Sequence, residues 1–82
     1  MIIKHPLATE KSIRLMESAN TLVFVVEKKA TKLDVKEAIE KMFTAKVVRV
    51  HTSIDRMGQK RAYVKFAQET PAIDIATNLG LM

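Results

Sequence analysis

The chain contains no cysteine, which excludes a disulfide-stapled fold and any cysteine-ligated metal module. Two glycines and two prolines in 82 residues leave little of the long loop that encloses an active site. No Gly-rich phosphate loop occurs. No apolar run approaches the ~18 residues that span a bilayer, and neither end carries a lipidation signal. Met1–Ile2–Ile3 is too short for the apolar part of a secretory leader, and Lys4–His5–Pro6 follows at once, so a cytoplasmic location is expected. His5 and His51 are far apart, and neither has a neighbouring ligand to suggest a metal site. No nucleophile and base pair by spacing, so these absences argue against an enzyme.

What is present is 48% hydrophobic and 28% charged, with both signs mixed along most of the chain. That composition excludes disorder. The length supports a single domain, residues 1–82, of modest stability, since a chain this short buries only about 60% of its unfolded surface.

The net charge of +5 is unevenly placed. Lys46, Arg49, Arg56, Lys60, Arg61 and Lys65 lie in one segment whose only acid is Asp55. The remaining eight cations are matched by eight acids, so the whole excess falls on about a quarter of the chain. A solubility device is one reading. An anionic polymer as partner is the other, provided those side chains share a face.

Ile2–Ile3 reads as a short edge strand ended by Pro6. Thr9 reads as a helix N-cap with Glu10 in the first turn, and Ile13 and Met16 share a helical face. Thr21–Val26 is β-branched and aromatic on both faces, the pattern of a central strand covered on both sides. Thr31 and Asp34 resemble a capping box, and Val35, Ala38, Ile39, Met42 and Phe43 form one apolar stripe behind it. Its other face, with Lys32, Lys36, Glu37, Glu40 and Lys41, reads as a solvated surface of ion pairs. The methionines fall mostly at apparent core positions.

From Lys46 to Ile54 the pattern alternates, with Val48, Val50 and Ile54 on one side and Val47, Arg49, His51 and Ser53 on the other. Asp55–Gln59 is a turn in which Gly58 supplies positive φ. Lys60–Ala67 alternates again, so the two runs read as an antiparallel hairpin. Thr70 is expected to cap a last helix, with Pro71 first, Ile73, Ala76 and Leu79 buried, and Gly80 as the stop. The order β-α-β-α-β-β-α is that of an α+β fold.

The alternation places Arg49, His51, Arg61, Tyr63 and Lys65 on one hairpin face. Like charges facing each other across strands cost stability, and an anionic partner removes that cost. Guanidinium groups fit phosphate, and a tyrosine stacks on bases or meets a 2′-hydroxyl. Arg56 and Lys60 extend the strip into the turn. An ordinary solvated sheet face remains the alternative, as do a free-standing basic nucleic-acid-binding regulator and a ligand-binding regulatory domain. The last needs a Gly-rich strand-to-helix loop, and Glu27–Thr31 has no glycine.

Ile3–Lys4–His5–Pro6, Thr9–Glu10–Lys11, Asn20–Thr21–Leu22–Val23–Phe24, Ala30–Thr31–Lys32 with Asp34–Val35–Lys36, and Lys60–Arg61–Ala62–Tyr63–Val64 together resemble the universal large-subunit ribosomal protein twenty-three family. The likeness runs nearly end to end. The short turn at Asp55–Gln59, the closing helix and the lack of a basic N-terminal extension resemble its archaeal form. The resemblance implies a four-stranded antiparallel sheet with helices packed on it, and a non-catalytic protein that binds large-subunit rRNA at the rim of the polypeptide exit tunnel. It implies as partners a neighbouring ribosomal protein of the twenty-nine family, the signal recognition particle and the protein-conducting channel. It implies no cofactor, small-molecule substrate or membrane insertion. On that basis Lys4, Lys11, Lys32, Arg49, Arg56, Lys60, Arg61 and Lys65 are expected to meet phosphates. His5, Asn20, Thr52 and Tyr63 are expected to add hydrogen bonds or stacking. Glu10, which matches an acidic docking residue of bacterial relatives, and Arg14 are expected on a protein-docking rim.

Overall fold

The structure is a computed structural model and describes residues 2–79. Its elements are β1 (Ile3–Pro6), α1 (Glu10–Ala19), β2 (Thr21–Val26), α2 (Lys32–Phe43), β3 (Val47–Ile54), β4 (Lys60–Phe66) and α3 (Ala72–Asn78). The strands form one sheet in the order β1-β2-β4-β3, each pair antiparallel. This is the expected α+β architecture.

Each of the first two helices begins with a reciprocal cap. The Thr9 hydroxyl accepts from the Ser12 N–H at 3.2 Å, and the Ser12 hydroxyl accepts from the Thr9 N–H at 2.8 Å. Thr31 and Asp34 repeat the arrangement at α2, at 3.1 and 3.0 Å. Such caps satisfy amides that a helix start leaves without partners. Asn20 and Thr44, both left-handed, end α1 and α2, and asparagine tolerates that conformation better than most residues.

All six residues of β2 are buried, as its sequence predicts. Leu22, Phe24 and Val26 join Ala62, Val64 and Phe66 of β4, Val35 and Ile39 of α2, Met16 of α1, and Ala72, Ile75 and Ala76 of α3 in a single core. Their alternates Val23 and Val25 are buried on the other side of the sheet.

Five expectations about packing are corrected. Val47 is buried and Val48 is 61% exposed, the reverse of the alternation, because an extra residue between Val47 and Arg49 shifts the register against β4. The extra residue reverses the parity of the strand, so Val47 packs on the core side opposite Phe66 while Arg49 lies on the open side opposite Lys65. Ile73 is exposed while Ile75 is buried, and Thr70 does not cap α3: the Ala72 N–H is accepted at 2.6 Å by the Asn20 side chain. Gly80 lies outside the described residues. Met42 and Met57 are exposed, leaving Met16 as the buried methionine among the described residues. Glu40 forms no ion pair among the described residues; its carboxylate accepts from the Val47 N–H at 3.3 Å at the start of β3.

Candidate nucleic-acid interface

Cross-strand register decides which side chains can act together. Arg49 lies opposite Lys65, His51 opposite Tyr63 and Ser53 opposite Arg61. On its other edge β4 sets Lys65 against Thr21, Tyr63 against Val23 and Arg61 against Val25, and β1 adds His5 opposite Val25. Side chains two residues apart on a strand point the same way. Three rows therefore cross the sheet on the side away from α2 and α3: His5, Val25, Arg61, Ser53; then Val23, Tyr63, His51; then Thr21, Lys65, Arg49. The bulge in β3 ends before Arg49, so it does not disturb them.

This face holds its charge largely uncompensated. Arg49 and Lys65 are exposed, directly opposed, and paired with no carboxylate among the described residues. Their repulsion costs a few tenths of a kcal/mol or more. Arg61 is the exception: its Nε lies 3.3 Å from the Asp55 carboxylate. Asp55 is itself fixed, because its other oxygen accepts from the N–H groups of Met57 and Gln59 at 2.9 and 3.0 Å. The hairpin turn, with Gly58 at φ +80°, thus anchors one end of the strip. His51 and Tyr63 lie with ring centroids 6.1 Å apart at 49°, a tilted pair within the range of favourable aromatic contact.

The N-terminal half of α1 borders this face. Leu7, Leu15 and Val23 form the floor of a shallow groove, with Lys11, Arg61 and Tyr63 around it. Lys11 is exposed, so it extends the cationic strip past the sheet edge. Lys4 is exposed on β1, where the register shifts between Ile3 and His5.

The other expected contact residues are placed elsewhere. Thr52 and Lys60 point to the helix side, opposite Ala62 and Val26. The Lys60 ammonium donates to the Ala30 carbonyl at 2.6 Å and to that of Lys28 at 3.4 Å, tying the hairpin to the loop before α2. Lys32 is exposed at the start of α2, and Arg56 is exposed in the turn. The Asn20 amide is fully engaged: it donates to the carbonyls of Phe66, Ala67 and Thr70 at 3.0–3.2 Å and accepts from Ala72. Glu10 and Arg14 form an exposed ion pair at 3.0 Å along α1. Sequence reasoning set Ser53 on the Arg49 side of β3 without naming it a contact, and did not place Asp55, Leu7, Leu15 or Val23 at this site. Strand parity alone identifies Ser53 and Val23; the Asp55 contact and the groove need the tertiary fold.

The sequence profile described as Ribosomal protein L23 matches residues 1–76. A curated relative, "Large ribosomal subunit protein uL23" of Methanococcus vannielii, is 49% identical over 80 residues, covering 98% of this chain and 93% of that protein. By profile and by near-complete alignment, this chain belongs to the ribosomal protein L23 family.

Proposed function

We infer that this protein is a structural, non-enzymatic component of the large ribosomal subunit, and that its open sheet face grips large-subunit rRNA. The observation that carries this reading is the register of β2, β4 and β3, which aligns Arg49, Lys65 and Arg61 with His51 and Tyr63 on one surface. A duplex or looped RNA backbone supplies the anions that this surface lacks, and Tyr63 and His51 supply hydrogen bonds or stacking to unpaired bases. Lys11 and Lys4 flank the same side, and His5 sits at the end of one row. Thr52 and Lys60 point to the helix side and Lys32 lies at the start of α2, so they take no part in the grip; Arg56 is exposed in the turn at the end of the strip, and Asn20 holds the fold.

Membership of the L23 family supports the finer placement: the rim of the exit tunnel of a cytoplasmic ribosome, beside a ribosomal protein of the twenty-nine family. There the outer surface of α1, with Glu10 and Arg14, is left for the signal recognition particle and the protein-conducting channel. With Lys11, Arg49, Arg61 and Lys65 each neutralising one phosphate, log affinity falls about 3 units per decade of salt.

The test is twofold. On a sucrose gradient of a lysate the protein sediments stoichiometrically with the large subunit, and in a titration it binds large-subunit rRNA in preference to short unrelated DNA or RNA. A free pool with equal affinity for any nucleic acid would instead identify a free-standing regulator, and a flat salt response would refute the electrostatic grip.

A further inference from the structure

The two edges of the sheet differ. β1 is short, carries Pro6 and shifts register between Ile3 and His5, features that discourage a further strand. β3, the opposite edge, has no proline, and beyond its bulge it pairs regularly with β4 from Arg49 to Ile54. The hairpin turn shows where its backbone points. The Asp55 N–H donates to the Gln59 carbonyl at 2.9 Å, and in an antiparallel pair bonded and non-bonded positions alternate. Ser53, His51 and Arg49 therefore turn N–H and C=O toward β4, while Val50, Thr52 and Ile54 turn theirs outward. Among the described residues no side chain accepts from those three amides, whereas at the start of the strand Glu40 takes the outward N–H of Val47.

The side chains along this edge sort by face. Leu33 precedes Glu40 by about two helical turns, so it shares the stripe of α2 that faces β3. It is 70% exposed, and Ile54, on the same side of the sheet, is 66% exposed. On the open side Arg49 faces Lys65 with no carboxylate among the described residues, and His51 follows it. A strand laid along β3 thus meets two environments in alternation. Its side chains on the helix side pass over Val50, Thr52, Ile54 and Leu33, where apolar groups fit. Those between them lie beside Arg49 and His51, where carboxylates fit. A nucleic acid offers no such alternation. A second copy brings another Arg49 and His51 to the same edge, and like charges there cost stability.

We propose that the β3 edge accepts, by strand addition, an extended segment of another protein in which apolar and acidic residues alternate. Its carboxylates and the phosphates of rRNA both claim Arg49, so the segment covers the free chain and large-subunit rRNA displaces it. Pairing at the edge does not depend on the rRNA reading; the displacement does.

The experiment titrates the full chain with a short synthetic peptide alternating valine and glutamate and follows backbone amide exchange by NMR. With the peptide at about ten times its dissociation constant, exchange at Val50, Thr52 and Ile54 slows about tenfold, while Arg49, His51 and Ser53, already bonded to β4, change little. Arg49→Thr weakens the peptide about twofold to fivefold. Thr52→Pro removes an N–H that β4 does not use; it abolishes peptide binding and leaves the salt slope of rRNA binding unchanged. Peptide binding without slowed exchange at those three amides overturns the proposal, as does equal binding of a peptide alternating valine and lysine. Slowing of the same amides with protein concentration alone assigns the edge to a second copy, and slowing by rRNA alone assigns it to the nucleic acid; either result overturns it. Simultaneous binding of peptide and rRNA overturns the displacement. Peptide binding by a chain that fails to bind rRNA leaves the edge site standing and overturns the rRNA reading alone. The exchange results need no variant, so they decide the matter even if Thr52→Pro does not fold.

Discussion

Asn20 offers the sharpest test of how the fold is held. Its amide spans three segments, joining the end of α1 to the end of β4 and the start of α3 through partners 46–52 residues away. Replacing it with alanine strands the Ala72 N–H, in a residue with no exposed surface, and removes two N–H donors shared among three carbonyls, of which that of Ala67 keeps the Thr70 N–H. Each net hydrogen bond is worth about 1 kcal/mol, and a buried amide left unpaired costs about 1–3. Alanine at φ 52° adds about 1 kcal/mol. The sum is roughly 3–5 kcal/mol, against a total of about 4–12 kcal/mol for a domain of 82 residues. In urea, with a slope of about 1 kcal/mol/M, the midpoint drops by about 3 M, or the variant is unfolded without denaturant. Asn20→Gly relieves only the backbone part and recovers about 1 kcal/mol relative to alanine. Asn20→Asp keeps the acceptor for Ala72 but sets a carboxylate against three carbonyl oxygens, so it is no better than alanine. A loss below about 1 kcal/mol for Asn20→Ala, or wild-type stability for Asn20→Asp, would refute this role.

Asp55→Ala removes the acceptor for two turn amides and lowers stability by about 1–2 kcal/mol; Asp55→Asn, which keeps that acceptor, stays within about 1 kcal/mol of wild type in the same urea assay, because the Arg61 contact at 3.3 Å is too poorly aligned to count as a hydrogen bond. Lys60→Met loses the bond to the Ala30 carbonyl and destabilises by about 1 kcal/mol, while the salt slope of rRNA binding is unchanged; a reduced slope would make Lys60 a phosphate contact. Arg49→Thr relieves the repulsion with Lys65 and raises thermal stability slightly at low salt, yet weakens rRNA binding and reduces its salt slope by about 0.8. Thr31→Ala removes one half of the α2 cap and costs about 1 kcal/mol, read from the urea midpoint, with no change in the slope.

The helices, the central strand and the hairpin were legible because each rests on local signals: caps three residues apart, an apolar stripe, and strict alternation along β4. The basic face was legible for the same reason, since parity alone assigns Arg49, His51, Arg61, Tyr63 and Lys65 to one side. Parity also separates Lys60 and Thr52 from that set, since they adjoin Arg61 and His51 in sequence and successive strand residues point to opposite faces; Thr52 was expected there on the family resemblance. The Val47–Val48 inversion was hidden because two adjacent valines suit either register, and only pairing with Phe66 and Lys65 decides between them. The role of Asn20 and the true cap of α3 depend on contacts nearly fifty residues distant, which no local pattern encodes. The groove arises where α1 meets β2 and β4, so its residues carry no common spacing.

The face-specific distribution of positive charge is tested most directly by comparing two triple variants in an rRNA salt titration. Neutralising Arg49, Arg61 and Lys65 together reduces the slope by about 2–2.5 units, whereas neutralising Lys32, Lys36 and Lys41 on α2 leaves it unchanged. Equal reductions from both variants would mean that net charge, not the sheet face, holds the RNA.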